Sequence, residues 1–345
     1  MNITSDLIEQ VAILFLMMLP GILLKKCKLV GEGFGKGLSN LILYIAQPVL
    51  VFYSYLNFSG AFRDIWENIL AVLALSVLAH IIFCLIAIPV FKKAPQNQRK
   101  MLRLTTIFSN AAFMGIPLID ILLGSEYAIY ASIYNITFNL FLWTLGVHLC
   151  THEEDADLDG DGDSDLADAL VSASQNMKKS NALFKVLLHP VTLASVFGLV
   201  FLILGINTEV LETVRLGVLS DTFAHIKGLV APLSMVVIGL RIPDIRLKGM
   251  LRDLYMYLFL ALRHLVLPLL FLGIIKLLAL IGLPISDGVA LTALILAATP
   301  SATSATMFAE KYNCDAPYTS RLVIVSTLLS IFTMPLVVLC FQQLF

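Results

Sequence analysis

Residues 109–118 read Ser-Asn-Ala-Ala-Phe-Met-Gly-Ile-Pro-Leu, and this stretch decides the fold. It lies inside an apolar segment that is long enough to cross a lipid bilayer. Pro117 has no N–H to donate to the carbonyl of Phe113, and its ring crowds that turn, so a helix here must kink or break. Inside a membrane, a freed carbonyl is tolerated only where it is buried in protein or faces a watery cavity. The stretch therefore predicts a functional break in a membrane-spanning helix.

A second interrupted segment lies far downstream, at residues 297–306, which read Ala-Ala-Thr-Pro-Ser-Ala-Thr-Ser-Ala-Thr. Two spans interrupted by proline or glycine, in corresponding halves of a chain, are the best sequence indication of a carrier's binding site. We therefore predict a membrane transporter whose substrate binds between the two breaks.

The composition places the whole chain in the membrane class. Its 345 residues are 59% hydrophobic and only 14% charged, whereas soluble proteins carry roughly 25% charged residues. Ten segments provide the ~20 apolar residues that a spanning helix needs: 7–25, 37–57, 66–90, 102–123, 127–149, 183–206, 213–240, 254–281, 288–311 and 318–343. The predicted fold class is an all-α, multi-pass protein of the cell membrane.

Lys and Arg residues predict the orientation, because the cytoplasmic loops of membrane proteins carry an excess of them. Of the 23 in the chain, 18 fall in loops on one side of the predicted spans. This side is predicted to be cytoplasmic, and both termini are predicted to be extracytoplasmic. An acidic linker at 150–182 separates the fifth and sixth spans and lies on the cytoplasmic side.

Rare residues recur at a nearly constant separation between the two halves of the chain. The separation is 184 residues for three pairs and 183 for a fourth: Pro48 and Pro232, Gly21 and Gly205, His80 and His264, and Pro117 and Pro300. Because each half holds five spans, the second copy must be inverted in the membrane. We predict two inverted five-helix repeats, at 1–149 and 183–345, as in many secondary carriers.

The predicted substrate site consists of the residues at the two breaks. Half-helices that meet in mid-membrane aim N–H groups and positive dipole ends at an anion, and neutral polar side chains are cheaper to hold there than charges. The predicted substrate-binding residues are Asn110, Gly115, Pro117, Thr299, Pro300, Ser301, Thr303 and Ser304, with Gln47 beside Pro48 as a weaker candidate. The alternative is that the Ser and Thr residues only allow close helix packing.

Four titratable residues in or near the spans are candidates for coupling or charge compensation. Arg263 lies ~15 Å deep at 1.5 Å per residue, where it would either offset a substrate carboxylate or snorkel to the interface. His80 and His264 would either relay protons or be hydrogen-bonded in the core. Asp120, one turn after Pro117, is either a coupling carboxylate or an outer-end residue in headgroup water.

The acidic linker contains a regular pattern of carboxylates. From Asp157 to Asp168 they fall at positions 1, 3, 5, 7, 9 and 12, with Gly162 at position 6, which is the spacing of an EF-hand calcium loop. Position 12 is Asp rather than the usual bidentate Glu. A solvated tether is the favoured interpretation, with calcium binding left open.

The enzyme motifs H-E-x-x-H, G-x-S-x-G and C-x-x-C are missing from the sequence, so the chain is not expected to be an enzyme. An intramembrane enzyme or sensor would need a catalytic pair on facing helices, and the sequence offers none. We expect no cofactor, no metal at the transport site and no nucleic-acid partner, with calcium at 157–168 left open. Without a nucleotide site, transport is expected to be secondary or channel-like.

Three stretches resemble the auxin efflux carrier family of membrane transporters. Residues 110–118 resemble its fourth-helix signature and residues 231–240, Ala-Pro-Leu-Ser-Met-Val-Val-Ile-Gly-Leu, its seventh-helix motif. Residues 299–312, with 326–330 after them, resemble its ninth and tenth helices. The similarity covers nearly the whole chain except 150–182, and the short linker is closer to microbial members than to plant ones.

This resemblance implies that helices four and nine cross at their prolines. It also implies that helices 1, 2, 6 and 7 form a scaffold and homodimer, while helices 3–5 and 8–10 move as an elevator. Asn110, Pro117 and Pro300 match family positions. The predicted function is secondary active transport of a small organic anion, auxin-like or a dicarboxylate. A cation/proton antiporter of the same architecture is the alternative, weakened because only Asp120 lies near mid-membrane.

Overall fold

A computed structural model describes residues 3–31, 33–58, 60, 62–151, 187–213, 215–244 and 253–345. The predicted calcium loop at 157–168, and most of the acidic linker that contains it, lie outside these residues. Side chains are described from residue 8 onward, except that of residue 97.

The described residues fold into α-helices joined by loops and, at four places, by short π-helical turns. The helices before the linker are α1 (Ile3–Leu16), α2 (Leu19–Lys26), α3 (Phe34–Leu41), α4 (Gln47–Leu56), α5 (Phe62–Val90), α6 (Gln96–Ile107), α7 (Ile116–Leu122), α8 (Ser125–Phe141) and α9 (Val147–Thr151). Those after it are α10 (Pro190–Ile203), α11 (Thr208–Thr213), α12 (Gly217–Lys227), α13 (Val230–Arg241), α14 (Leu254–Ala261), α15 (Leu267–Leu280), α16 (Asp287–Ala298), α17 (Ser304–Lys311) and α18 (Ala316–Leu344).

Seven helical stretches within the described ranges are long and apolar enough to cross a membrane. They are Ile8–Lys26, Phe34–Leu56, Phe62–Val90, Ser125–Thr151, Gly217–Arg241, Leu254–Leu280 and Ala316–Leu344. Three further apolar helices are shorter: Ala111–Leu122, Pro190–Ile203 and Asp287–Ala298. The first and last of these are halves of the two interrupted segments, so each is short because its span is broken. The all-helical membrane class is confirmed, whereas the count of ten spans and the inverted repeat stay predictions.

Three of the π turns end two residues before a proline. They are Ile42–Ala46 before Pro48, Ala111–Gly115 before Pro117, and Leu262–Val266 before Pro268. A proline cannot donate to the carbonyl four residues earlier, and its ring collides with that carbonyl. A π turn admits an extra residue and carries the N–H before the proline to the carbonyl five residues back. The prolines therefore bend these helices by widening one turn.

Helices pack closely within both the predicted scaffold and the predicted moving bundle, and α4 and α10 of the former also pack on α8 of the latter. The division into scaffold and bundle stays a prediction. In one group α4 packs against α10 and α12, and α2 packs against α13. In the other group α8 packs against α5 and α16, and α18 packs against α17 and α6. Gly21 and Gly239 let α2 and α13 touch through their backbones, because a Cβ at either position would overlap a main-chain carbonyl of the other helix.

Candidate functional site

The two interrupted segments lie directly against each other as a short antiparallel β-bridge between Ser109 and Ser301. The N–H of Asn110 donates to the carbonyl of Pro300 at 2.7 Å, and the N–H of Ala302 donates to the carbonyl of Phe108 at 2.9 Å. Each break thus satisfies backbone groups that the other has freed. We call this pairing the crossing.

Arg263 occupies the crossing and is fully buried. Its guanidinium donates to the carbonyl of Thr106 at 3.2 Å, to that of Ala297 at 2.7 Å and to that of Thr299 at 2.6 Å. Thr106 lies in the last turn of α6 and Ala297 in that of α16, so the cation joins the C-terminal ends of both half-helices. The snorkelling alternative for Arg263 is wrong, because its donors bind carbonyls inside the protein.

Two hydroxyls complete the pairing of the freed carbonyls. Thr299 Oγ1 donates to the carbonyl of Leu296 at 2.8 Å, and Ser301 Oγ donates to that of Thr105 at 2.7 Å. Both residues were predicted to bind substrate, but their hydroxyls instead close the ends of α16 and α6.

His264 ties the crossing to α18. Its Nδ1 lies 2.9 Å from Thr333 Oγ1 and its Nε2 lies 2.8 Å from Ser326 Oγ, which also accepts the N–H of Ser301 at 2.9 Å. The Thr333 hydroxyl lies 3.3 Å from the carbonyl of Leu329 and donates to it. One assignment satisfies every atom: Nδ1–H donates to Thr333, and Nε2 accepts from Ser326. Of the two alternatives predicted for His264, a proton relay or a hydrogen-bonded core histidine, the contacts fit the second.

His80 is also buried and hydrogen-bonded in the core. Its Nδ1 lies 2.7 Å from the carbonyl of Ser76, one turn earlier in α5, and its ring stacks on Phe141 with centroids 5.0 Å apart. A carbonyl only accepts, so this nitrogen carries the proton. His80 does not line the cavity described next.

A cavity of about 850 Å³ leads from the basic-loop side of the molecule to the crossing. Four of its buried polar residues each keep one side-chain atom without a hydrogen-bond partner: Asn110 Nδ2, Gln47 Oε1, Asn135 Oδ1 and Thr306 Oγ1. Because buried polar atoms are normally paired, these atoms mark a place where a ligand can bind. The other side-chain atoms of Asn110 and Gln47 are paired within the protein. Thr303 Oγ1 donates to Asn110 Oδ1 at 3.1 Å, and Gln47 Nε2 donates to the carbonyl of Ala112 at 2.7 Å.

The cavity wall combines aromatic and basic side chains. The aromatic residues are Tyr44, Phe113, Phe138, Trp143 and Phe308, and the basic ones are Lys25, Lys36, Arg241 and Lys311. Glu310 is the single acidic residue of the lining in the described part of the chain. Arg241 contacts the second broken segment, where its guanidinium donates to the carbonyl of Thr303 at 3.5 Å.

The predicted site residues divide into two sets. Gln47, Asn110 and Ser304 line the cavity. The others build the crossing without lining the cavity: Gly115, Pro117, Thr299, Pro300, Ser301 and Thr303. Gly115 illustrates the second role, since a Cβ there would press against Leu296 of the other broken segment. These residues position the site through backbone geometry.

Asp120 lies outside the cavity and forms an ion pair. Its carboxylate accepts from Lys227 Nζ at 2.9 Å and from Ser125 Oγ at 2.9 Å. Lys227 also donates to Ser125 and lies over the ring of Tyr53. The pair joins α7 to α12, with side-chain exposures of 11% for Asp120 and 18% for Lys227.

Sequence analysis missed several residues of the site, including Arg241, Asn135, Thr306 and Ser326. Arg241 counted only as one basic residue at a cytoplasmic helix end. Asn135 could have been found from the sequence, because a side-chain amide in the middle of an apolar span needs a hydrogen-bond partner or a function. Thr306 and Ser326 resembled the hydroxyls common at membrane helix contacts.

The fold and the site define a polytopic α-helical membrane protein with a polar cavity at two broken helices. The family model described as "Membrane transport protein" matches residues 6–338. The chain therefore belongs to this membrane transport family, the auxin efflux carrier family of the resemblance. It is similar to an uncharacterized transporter of Methanothermobacter thermautotrophicus, 25% identical over 332 residues that cover 95% of this chain and 96% of the relative.

Proposed function

We propose that this chain is a secondary active transporter of small organic anions, which bind at the inner end of the cavity. The proposal rests on one observation: at the crossing, the C-terminal helix ends contact a cation, whereas the segments that start after the breaks border the cavity. The C-terminal ends of α6 and α16 are bound by Arg263. The segments that start again at Asn110 and Ser304 border the cavity.

Helix dipoles give this asymmetry a chemical meaning. A helix carries about half a positive charge at its N-terminus and half a negative charge at its C-terminus. The negative ends are neutralised by a fixed cation, so the positive ends dominate the field at the head of the cavity. Asn110 Nδ2 adds an unpartnered donor. An anionic group such as a carboxylate fits this environment better than a cation does.

The rest of the cavity supports the same ligand class. Four basic residues and one acidic residue line it, and a concave surface with one sign of charge raises the local concentration of the opposite ion. The aromatic residues offer an apolar surface for the body of the ligand. The site therefore favours a small molecule with a carboxylate at one end.

The antiporter alternative is less well supported. A cation/proton antiporter needs a buried carboxylate to exchange its ions, and no Asp or Glu is buried among the described residues. Asp120, the nearest candidate, is engaged by Lys227. We therefore retain the organic anion as the proposed substrate.

We propose alternating access of the elevator type, following the family resemblance. Two of the polar contacts between the predicted scaffold and the predicted bundle lie on α4 and α12. Gln47 of α4 binds the carbonyl of Ala112, and Lys227 of α12 binds Asp120. In this conformation the cavity opens toward the predicted cytoplasmic side. The bundle of helices 3–5 and 8–10 would carry the site past a dimeric scaffold of helices 1, 2, 6 and 7.

The proposal is tested by counterflow of radiolabelled mono- and dicarboxylates in proteoliposomes. Asn110→Ala removes a hydrogen bond to a charged ligand, a contribution of about 1.5–3 kcal/mol, so the apparent affinity should fall roughly 10- to 100-fold. Asn110→Asp should abolish transport, because a carboxylate would face the substrate. Pro300→Ala should also abolish it, by allowing α16 to extend through the crossing.

Asn40→Asp is the matched control, since Asn40 is exposed on α3 and does not line the cavity. Its transport should equal that of the wild type. Full activity in Asn110→Asp and Pro300→Ala, at normal protein levels, would refute the proposed site. If the wild-type protein transports none of the carboxylates tested, the proposal that its substrate is an organic anion is refuted.

A further inference from the structure

We propose that Arg263 is a built-in cation that occupies the position of a coupling metal ion, so that no Na⁺ or K⁺ binds at the crossing. In carriers with broken helices, unwound carbonyls and the C-terminal ends of half-helices are the groups that coordinate a coupling cation. Here those groups already have a ligand, because the carbonyls of Thr106, Ala297 and Thr299 converge on one guanidinium.

The charges at the crossing support this assignment. Arg263 is completely buried and does not line the cavity. In the described parts of the chain it forms no ion pair. A buried charge without compensation is very costly, and guanidinium stays protonated in proteins. The negative ends of two half-helices sum to about one negative charge. This balances the guanidinium, and a second cation at the same place would be repelled.

The ring of Phe83 closes the site from the side. It lies 5.5 Å from the guanidinium carbon, within the range of a cation–π contact. The arginine is thus held by three carbonyls and an aromatic face, all supplied by the protein. The flat guanidinium suits two separate helix ends better than a spherical ion, because it presents several donors in a fixed plane.

A tethered cation moves with the bundle and returns with it, so it is never released across the membrane with the substrate, and this sets the energetics of transport. At a site with a metal ion, the ion gradient drives the substrate. With Arg263 in its place, a complete transport cycle transfers only the charge of the substrate anion, so transport responds to the membrane potential. This last step depends on the proposed anion transport, whereas the cation assignment does not.

The cation assignment is tested by thermal unfolding of the purified protein, with no substrate present. A ligand that binds only the folded state raises the unfolding temperature. The wild type should unfold at the same temperature in NaCl, KCl and choline chloride of equal concentration. A rise specific to Na⁺ or K⁺ would overturn the proposal.

Arg263→Ala provides the converse test by emptying the site. In choline chloride this variant should unfold several degrees lower than the wild type, and millimolar guanidinium or Na⁺ should restore part of the loss. Arg63→Ala, at an exposed arginine of α5, should show neither effect. An unchanged unfolding temperature, or a loss that no cation restores, would contradict the assignment.

If Arg263→Ala does not accumulate as folded protein, Arg263→Lys takes its place. Lysine keeps the charge, so this variant should fold and remain indifferent to Na⁺ and K⁺. A lysine variant that fails like the alanine one would show that charge is not what matters. Counterflow is then compared in Na⁺, K⁺ and choline buffers, and equal rates are expected. Transport that requires Na⁺ or K⁺ would overturn the energetic step, whereas absence of anion transport in every buffer would count against the proposed function only.

Discussion

Asn110 shows how a single side chain serves both the crossing and the cavity. Its Oδ1 accepts from Thr303 Oγ1, which fixes the orientation of the amide, and its Nδ2 is left without a partner. An amide can do this because its two ends have opposite hydrogen-bonding character. The sequence identified Asn110 since a polar residue beside a proline in an apolar span is unusual. It did not identify which end of the amide faces a ligand.

If the substrate is the proposed organic anion, Arg241 is expected to pair with its carboxylate. Its guanidinium lies 3.5 Å from the carbonyl of Thr303, whose side chain binds Asn110, and it lines the cavity. Arg241→Gln should raise the KM for counterflow about tenfold or more, as expected for loss of a charge-assisted hydrogen bond, with a smaller change in maximal rate. The KM of Arg241→Lys should lie between those of the wild type and Arg241→Gln.

Lys36→Gln is the control for this prediction, because Lys36 also lines the cavity but is exposed near its mouth. Its effect on KM should be much smaller and should vanish at high salt, since exposed charges are screened. Equal KM values for Arg241→Gln and the wild type would show that the carboxylate binds elsewhere.

At the scale of single helices, the positions of the prolines explain both the bends and the breaks. Pro48 and Pro268 each follow a π turn inside a helix that continues. Pro117 also follows a π turn, but the chain before it is extended and pairs with the second break. Sequence patterns could locate each proline, whereas the choice between a bend and a break depends on a partner segment that can accept freed backbone groups.

Close contact between α2 and α13 makes Gly239 a sensitive position. A Cβ at Gly239 would overlap the carbonyl of Met18, so Gly239→Ala must push the helices apart. We expect a loss of stability of about 1–3 kcal/mol, the usual cost of overpacking, measured as a lower unfolding temperature in detergent.

Gly273→Ala is the matched control within a helix of the same protein. Nothing lies within 4 Å of a Cβ at Gly273 in α15, and alanine is the better helix former by roughly 1 kcal/mol. This variant should unfold at an equal or slightly higher temperature. Equal destabilisation of both variants would mean that helix contact at Gly239 is not the cause.

For the molecule as a whole, the ion pair of Asp120 with Lys227 should hold the present conformation. It joins α7 of the predicted bundle to α12 of the predicted scaffold, and neither residue lines the cavity. Elevator movement would separate the two residues. Asp120→Asn should therefore shift the population away from this state by about 1 kcal/mol, roughly fivefold.

This shift is measured by the accessibility of Ser304→Cys, placed in the cavity lining, to a membrane-impermeant thiol reagent. Labelling from the cavity side should slow in the Asp120→Asn background. The exchanged pair, Asp120→Lys with Lys227→Asp, should restore the original rate. An unchanged labelling rate in all backgrounds would mean that the ion pair does not distinguish two conformations.

The predicted orientation is tested with the same reagent at two exposed sites. Cys27 follows α2 among the basic residues of the first loop and is exposed, so it should react only from the cytoplasmic side. Glu209→Cys, exposed in α11, should react only from the outside. Cys314 is a second cytoplasmic reporter, and the neighbouring thiol of Cys150 with the ammonium of Lys100 lowers its pKa, which favours the reactive thiolate. Reversed labelling would invert the topology.

The amino-acid sequence by itself determined the membrane class, the positions of the helices and the two broken segments. These depend on local properties: runs of apolar residues, and prolines that lack an N–H. It also singled out Asn110, Ser304 and Gln47, because polar residues in apolar spans are conspicuous one at a time.

Only the tertiary structure decided what each residue contacts. It assigned Thr299 and Ser301 to backbone carbonyls rather than to the cavity, and Asp120 to Lys227. It also placed Arg263 of one helix on the ends of two others. Such contacts join residues that are far apart in the chain, so they follow from how the helices pack and not from any local pattern.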